Sequence, residues 1–377
     1  MADVDFMRLA LKLAQRGLGA TSPNPMVGAV LVKRGKVIGQ GWHRRAGEPH
    51  AEIEAINNAR ARANDVRGAT LYVTLEPCST HGRTPPCTEA IKAAGIKRVV
   101  VGATDPNPAH AGRGYKILRR AGIEVVHGVL AEEAMGLNEA FNHWIVRRTP
   151  FVTVKSAMTL DGKIATAHGE SKWITGEEAR AFGMKLRQGA DAVLVGVNTV
   201  LADDPALTAR TVQGPKSKVQ SRKRRIILDS MARTPMSARV VSDEFARFTT
   251  IVVGKQAPKA RVSALAKRVR VLVAPLARSK QKDEVPKIDL RWLLKNLGKE
   301  GVTSLLVEGG GEVNASFLLE GRVQRVAFFY APKILGGRDA RKAVGGRGVH
   351  SVAEMIKLTD VEWRRLGRDL MLTGRVA

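Results

Sequence analysis

The chain has 377 residues, 44% hydrophobic and 26% charged. That balance excludes disordered and fibrous classes and leaves room for two domains. Its net charge of +27 falls mostly after residue 147, which permits an anionic partner. Only 5% of residues are aromatic, and none interleaves the basic run PKSKVQSRKRR at 215–225. A basic surface loop is therefore expected there, and nucleic acid is not the expected partner.

In chain order, Phe6, Leu9, Ala10 and Leu13 recur at helical spacing and predict a helix over 4–18. This start lacks the basic and then apolar pattern of a secretory leader. With no apolar run long enough for a bilayer, a cytoplasmic protein without a membrane partner is expected. GAVLVKRGKVIGQG (28–41) predicts a hairpin turning at Arg34-Gly35. A helix over 51–63, a strand over 69–76 and a helix over 88–95 follow, the last ended by Gly95. KRVVVGATD (97–105) reads as a strand, GYKILRRAG (114–122) as a helix and IEVVHGVL (123–130) as a strand. AEEAMGLNEAFNHWIVRR (131–148) predicts one helix that Pro150 stops, at a domain border.

A second unit starts at PFVTVKSAMTLDGKI (150–164). It continues with a helix over 177–190, then a strand and a loop in DAVLVGVNTVLADDP (191–205). Strands are expected at 224–229, 248–254 and 268–275, and a helix near 290–301. TSLLVEGGGEVNASFLLE (303–320) is a strand, three glycines and a helix. VQRVAFFYAP (323–332) is a late strand, and the chain ends in a closing strand. RSKQKDEVPK (278–287) is a polar surface excursion. Alternating strands and helices predict two α/β domains, over 1–147 and 150–376.

The chain holds two cysteines, Cys78 and Cys87, both within LEPCSTHGRTPPC (75–87). A small disulfide, a redox pair and half of a metal site are the competing readings. A chain of this size needs no staple, and the spacing is not C-x-x-C. Upstream, EPHAEIEAI supplies His50 and Glu52. One histidine, two thiolates and a carboxylate make the set of a zinc deaminase: three ligands for Zn2+, a water, and an acid that moves protons. Pro49 puts His50 at a helix start, and Cys87 precedes another helix, where a thiolate is favoured. The eight residues between the cysteines replace the usual two.

In the second half, the glycines of VEGGG (307–311) let a backbone approach a pyrophosphate at a helix N-terminus. They do not form the G-x-G-x-x-G fingerprint, so a Rossmann domain is not predicted. Arg187 and Arg210 offer guanidinium forks for a phosphate, and Trp173 offers an aromatic face.

These motifs resemble those of the bifunctional riboflavin biosynthesis family. Its members fuse a diaminohydroxyphosphoribosylaminopyrimidine deaminase to a 5-amino-6-(5-phosphoribosylamino)uracil reductase. TSPNPMVGAV (21–30), GWHRRAGEPHAE (41–52), the 75–87 stretch and GATDPNP (102–108) carry the first half of the likeness. KSAMTLDGKIA (155–165), SKWITGEEAR (171–180), VGVNTVLADDPALTAR (195–210) and VEGGG carry the second. The resemblance implies a cytidine-deaminase-like three-layer domain followed by a dihydrofolate-reductase-like α/β domain. It implies zinc on His50, Cys78 and Cys87, with Glu52 as proton shuttle. Asn24, His43, His81, Arg83 and Asn107 are then placed on the deaminase substrate. In the reductase, Ser171, Arg187, Leu207, Arg210 and Glu308 fall on the substrate side. Ala157, Trp173, Thr199, Asp203, Gly310, Gly311, Glu312, Val313, Asn314, Ala315 and Ser316 fall on the NADPH side. The substrates implied are phosphorylated pyrimidines, and the assembly implied is a homo-oligomer, a dimer through the reductase domain.

Overall fold

The computed structural model describes all residues except 1, 82–84, 211–218, 221–222 and 278–286, with backbone alone at 210, 219 and 220. Arg83, the Arg210 side chain and most of both polar insertions lie outside the described residues. The chain divides into two compact units, Met1–Arg148 and Thr149–Ala377.

In the first unit, β1 (Gly28–Lys33) and β2 (Lys36–Trp42) form the expected hairpin. Arg34 and Gly35 both take positive φ, 50° and 75°, the signature of a type I′ turn. β3 (Thr70–Leu75) lies antiparallel to β1, and β4 (Arg98–Ala103) and β5 (Glu124–His127) continue in parallel, giving the order β2-β1-β3-β4-β5. Successive residues point to opposite faces of a strand. Val30 and Val32 therefore meet Phe6, Met7, Ala10 and Leu13 of α1 (Asp3–Ala14). Ala29 and Leu31 face the other way, in the core that α2 (Ala51–Ala61), α3 (Cys87–Ala93) and α4 (Arg113–Arg120) complete.

Two glycines set how closely α2 approaches the sheet. A Cβ at Gly41 would stand 2.5 Å from the Ala51 carbonyl oxygen, and one at Gly39 would stand 2.8 Å from the Ala59 Cβ. The start of α2, which carries Glu52, thus rests directly on β2.

The segment expected as a single helix over 131–148 is two helices, α5 (Ala131–Leu137) and α6 (Glu139–Arg147). They break at Asn138, whose backbone leaves the helical region (φ −117°, ψ 26°). Its side-chain amide binds both backbone groups of Met26, accepting from the N–H (2.8 Å) and donating to the C=O (2.9 Å). A contact 112 residues away in sequence overrides the local helical pattern.

The second unit contains β6 (Phe151–Thr159), β7 (Lys163–Ala165), β8 (Ala192–Gly196), β9 (Ala209–Arg210), β10 (Val219–Gln220) and β11 (Arg224–Leu228). β12 (Thr249–Gly254), β13 (Arg270–Ala274), β14 (Ser304–Val307), β15 (Arg325–Ala331), β16 (Arg341–Lys342), β17 (Leu358–Leu366) and β18 (Asp369–Val376) follow. Nine of these form one sheet in the order β13-β12-β11-β8-β14-β6-β15-β18-β17. It is parallel from β13 to β15 and antiparallel in its last two strands. The helices are α7 (Glu177–Gly189), α8 (Val197–Asp203), α9 (Arg239–Ser242), α10 (Lys259–Ala266), α11 (Leu290–Lys299) and α12 (Gly311–Leu319). One face of the sheet packs on α11 and α12 through Leu293, Leu297 and Phe317; the other packs on α8, α9 and α10 through Val200, Val240 and Leu265. Burial on both faces explains the unbroken Val/Ile/Leu runs of β8, β11 and β12.

Three expectations change here. The loop after β8 is the helix α8, because Val197 and Val200 both enter the core. The basic run ends in the strand expected at 224–229, but not on the surface: Arg225, within β11, is 1% exposed. Its guanidinium binds Asp243 (2.7 and 2.8 Å), Thr249 Oγ1 and the carbonyls of Ala206 and Val240. The closing strand is a ribbon of two, β17 and β18, with β17 at the sheet edge. Among the described residues, no helix is long and apolar enough to cross a membrane.

Candidate active sites

The first site forms where β3 ends and two helices begin. His50 occupies the N-cap of α2, with extended backbone, so its side chain leaves from the helix end. Glu52 lies in the first turn of the same helix, 3% exposed. Cys78 follows β3, and Cys87 opens α3. His50 Nδ1 lies 3.6 Å from the Cys78 sulfur and 3.3 Å from the Cys87 sulfur. All three ligand atoms fall within 4.8 Å of one another. Both thiols are free, so the disulfide reading is set aside. One imidazole nitrogen and two sulfurs converging on one point are a donor set suited to zinc with an open position.

The electrostatics of this cluster are coupled. The Cys78 thiol is driven down to about 4, first by its hydrogen bond with Cys87 and then by His50, against burial. Cys87 is pushed up by the same sharing and by burial. The Cys87 backbone N–H also donates to the Cys78 sulfur at 3.3 Å, the favourable geometry of a helix start. Burial, followed by the charge on Cys78, pushes Glu52 up to about 7.

Around this cluster, Asn24 and His43 come together. Asn24 Nδ2 lies 3.1 Å from His43 Nε2, and His43 Nδ1 lies 3.1 Å from the Pro49 carbonyl. A carbonyl can only accept, so Nδ1 carries the proton and Nε2 accepts from Asn24. Burial lowers the pKa of His43, which favours this neutral ring. His43 also meets His50 edge-on, with centroids 5.3 Å apart. Both of its nitrogens are thus engaged within the protein. Asn107 lies in a loop that it locks itself, its Oδ1 accepting from the Ala109 N–H at 3.1 Å. His81 is exposed.

Sequence reasoning missed Glu76. Its buried carboxylate accepts three backbone N–H groups, from Asp105 (3.2 Å), Gly112 (2.9 Å) and Gly114 (2.9 Å). It thereby anchors the loop that carries Asn107 to the strand end that carries Cys78. An acid directly before Pro77-Cys78, closing an apolar strand, was the available signal.

The second site lies at the C-terminal ends of the parallel strands, where α/β sheets bind ligands. Arg187 of α7 and Glu308, just after β14, form a two-point ion pair: Nε to Oε1 and Nη2 to Oε2, both 2.7 Å. The guanidinium fork expected for a phosphate is therefore met by a carboxylate. Lys155 belongs to the same cluster: burial lowers its pKa against the pull of Glu308, and its ammonium lies 5.7 Å from the Phe329 ring centroid. Ser171 donates to Asp203 at 2.9 Å. Leu207 is buried with φ 51°. Ala157 and Thr199 are half-buried on β6 and α8.

The glycine stretch divides by role. A Cβ at Gly309 would stand 2.5 Å from the Val313 Cβ, and one at Gly311 would strike the Lys342 carbonyl; one at Gly310 would meet open space. The outer two glycines pack, and the middle one leaves the N-terminus of α12 open, as a pyrophosphate requires. Of the remaining segment, Glu312 and Val313 stay near the surface, and Ser316 donates to the Glu312 carbonyl. Asn314 and Ala315 are buried, with Asn314 donating to the Ala343 carbonyl at 2.8 Å. Trp173 is 68% exposed, with the Arg180 guanidinium 4.8 Å from its ring centroid.

Comparison with known proteins covers both units. Residues 150–372 match the model of the RibD C-terminal domain, and residues 1–103 match that of the cytidine and deoxycytidylate deaminase zinc-binding region. The riboflavin biosynthesis protein RibD of Aquifex aeolicus is 46% identical over 98% of this chain and 97% of its own length. RibD of Actinobacillus pleuropneumoniae is 44% identical over 99% and 95%. Among solved structures, Acinetobacter baumannii RibD is similar with a TM-score of 0.85 at 35% identity, covering 100% of this chain and 99% of that one. A Thermotoga maritima diaminohydroxyphosphoribosylaminopyrimidine deaminase/5-amino-6-(5-phosphoribosylamino)uracil reductase gives 0.83 at 38%, with the same coverage. The first unit is cytidine-deaminase-like and the second is an α/β reductase domain of the dihydrofolate-reductase-like kind. With relatives matched from end to end, this chain belongs to the RibD family of bifunctional riboflavin biosynthesis proteins, deaminase and reductase in one polypeptide.

Proposed function

We propose that the chain carries out two consecutive steps of riboflavin biosynthesis in the cytoplasm. The first is hydrolytic deamination of 2,5-diamino-6-(5-phosphoribosylamino)pyrimidin-4(3H)-one. The second is NADPH-dependent reduction of the ribosyl group of 5-amino-6-(5-phosphoribosylamino)uracil to ribityl. The observation that carries the reading is the convergence of His50, Cys78 and Cys87 on one point beside the buried Glu52.

His50 Nδ1 and the two thiolates would hold the zinc. When bound, zinc lowers the pKa of a water and so provides a hydroxide nucleophile at neutral pH. Glu52 takes the water proton on its carboxylate and delivers it to the ring nitrogen and the departing amine, which leaves as ammonia. Asn24 presents its Oδ1 to a donor on the pyrimidine, because its amide nitrogen is committed to His43. His81, Arg83 and Asn107 bind the phosphorylated substrate.

In the reductase, Ser171, Arg187, Leu207, Arg210 and Glu308 face the substrate. The open N-terminus of α12 receives the dinucleotide, with Ala157, Trp173, Thr199 and Asp203 on the same side. Bound there, NADPH would supply a hydride, and C1′ of the ring-opened imine would be its acceptor. The proton for the nitrogen comes from the Lys155 ammonium, which burial makes a readier donor, while Glu308 stays ionised beside it. The positive N-terminal end of α12 suits the charge of a phosphorylated cofactor.

The chain assembles as a homodimer through the reductase domain. The exposed edge strand β17 supports this, because Trp363 (60% exposed), Val361 and nearby Leu370 leave an apolar sheet edge in water. Sedimentation should give twice the mass of one chain, and a monomer at working concentration would count against the dimer. For the function itself, chelation should abolish ammonia release, and added zinc should restore it. Reduction of the aminouracil substrate should continue throughout. Ammonia release that survives complete metal removal would overturn the deaminase reading.

A further inference from the structure

Trp173 combines two properties that rarely occur together. Its ring is largely in water, so packing does not fix it. Yet the backbone that carries it is gripped at four consecutive residues by three side chains from elsewhere. Lys333, just after β15, donates from Nζ to the carbonyls of Trp173 (3.1 Å) and Ile174 (2.8 Å). Arg180 donates to the Thr175 carbonyl at 2.8 Å and covers a face of the Trp173 indole. Asp369, buried at the start of β18, accepts from the Gly176 N–H at 2.6 Å. Ser171, two residues upstream, is held by Asp203.

Lys333 is itself held in place. Its carbonyl accepts from the Leu160 N–H at 2.8 Å. Two residues further on, Asp161 accepts from the N–H groups of Leu335 (3.1 Å) and Gly336 (2.8 Å). The TLDG turn and the segment after β15 thus form one rigid piece, and the Lys333 ammonium reaches from it to segment 173–174.

We propose that Lys333 is a positioning residue of the reductase. Its two charge-assisted hydrogen bonds set the backbone of Trp173 and Ile174 and so present the indole to the nicotinamide dinucleotide. The physical basis is pre-organisation. An exposed aromatic ring on a free loop has to be ordered when the ligand binds, at the expense of affinity, whereas a pinned one is ordered already. In this role Lys333 acts through Trp173, to whose backbone its ammonium is bound. The inference rests on the placement of Trp173 on the NADPH side.

The test compares Lys333→Met, Lys333→Arg, Trp173→Phe and the double variant Lys333→Met/Trp173→Phe in the full-length protein. Steady-state NADPH oxidation with the aminouracil substrate is measured, with ammonia release from the diaminopyrimidine substrate as an internal check on folding. Lys333→Met should raise KM for NADPH about tenfold, roughly the low end of what one charge-assisted bond is worth, and leave kcat within about twofold. Lys333→Arg, which keeps the charge and the donors, should recover most of the loss. The double variant should be no worse than about the poorer single variant, because both changes act on one feature. Losses that multiply in the double variant, or a fall in kcat with KM unmoved, would overturn the proposal. So would an unchanged KM in Lys333→Met where Trp173→Phe raises it. If Trp173→Phe itself leaves KM unchanged, the placement of Trp173 fails first, and the proposal fails with it.

Discussion

At the scale of single residues, position within a helix decides what each polar group does. His50 and Glu52 are two residues apart, a spacing that does not share a face within a helix. The N-cap resolves this, because His50 leaves from the helix end while Glu52 is buried in the first turn. The H-A-E motif after a proline made that pair readable from sequence, as did Cys87 before a helix. The contacts around them were not readable. His43 and Asn24 are 19 residues apart, and Glu76 reaches 29 to 38 residues ahead for its three N–H partners. No local spacing encodes such contacts. The residue-scale prediction concerns Glu52. Glu52→Gln should cut ammonia release by about 10²- to 10⁴-fold, the usual worth of a positioned acid–base group. Metal analysis should find zinc still bound. Full activity in a zinc-loaded Glu52→Gln variant would remove the proton shuttle.

At the scale of elements, the strands were legible and the helix boundaries less so. Buried parallel strands appear as runs of Val, Ile and Leu, as in β8 and β12. Helix α8 was hidden because its seven residues directly follow a strand and carry only two buried valines. The break between α5 and α6 was hidden because its cause, Met26, lies far away in sequence. The ion pair between α7 and the end of β14 was also unexpected as a pair, though both partners had been singled out. Burial alone would raise the Glu308 carboxyl, but Arg187 and then Lys155 outweigh it and hold it at about 2. An unfolded glutamate titrates near roughly 4.3. Because the folded value is the lower one, the stabilisation is complete above that unfolded value and is lost as pH falls through about 2. Glu308→Gln leaves the half-buried Arg187 guanidinium, 22% exposed, without its partner and should cost about 2 kcal/mol at neutral pH. In denaturant titrations the gap between wild type and variant should hold from pH 7 to about 5 and narrow below roughly 4.3. A gap that does not change with pH would mean that the pair adds nothing through its charge.

At the scale of the whole molecule, two units carry two sets of chemistry-bearing residues, and the chain matches RibD relatives over nearly its full length. The two-part organisation was legible because Pro150 and a change of pattern mark the border. The basic run was misread in part because charge alone does not reveal burial. Arg225 is buried and paired with the half-buried Asp243, so its charge holds the fold together. The central claim is that one polypeptide performs both reactions in a fixed order, and a coupled assay on the purified chain tests it most directly. Given the diaminopyrimidine ribosyl phosphate without NADPH, the protein should release one ammonia per substrate and stop at the aminouracil. With NADPH present, an equal amount of NADPH should then be oxidised, after a lag that follows ammonia release. NADPH oxidation that runs ahead of ammonia release, or ammonia release that no oxidation ever follows, would contradict the account.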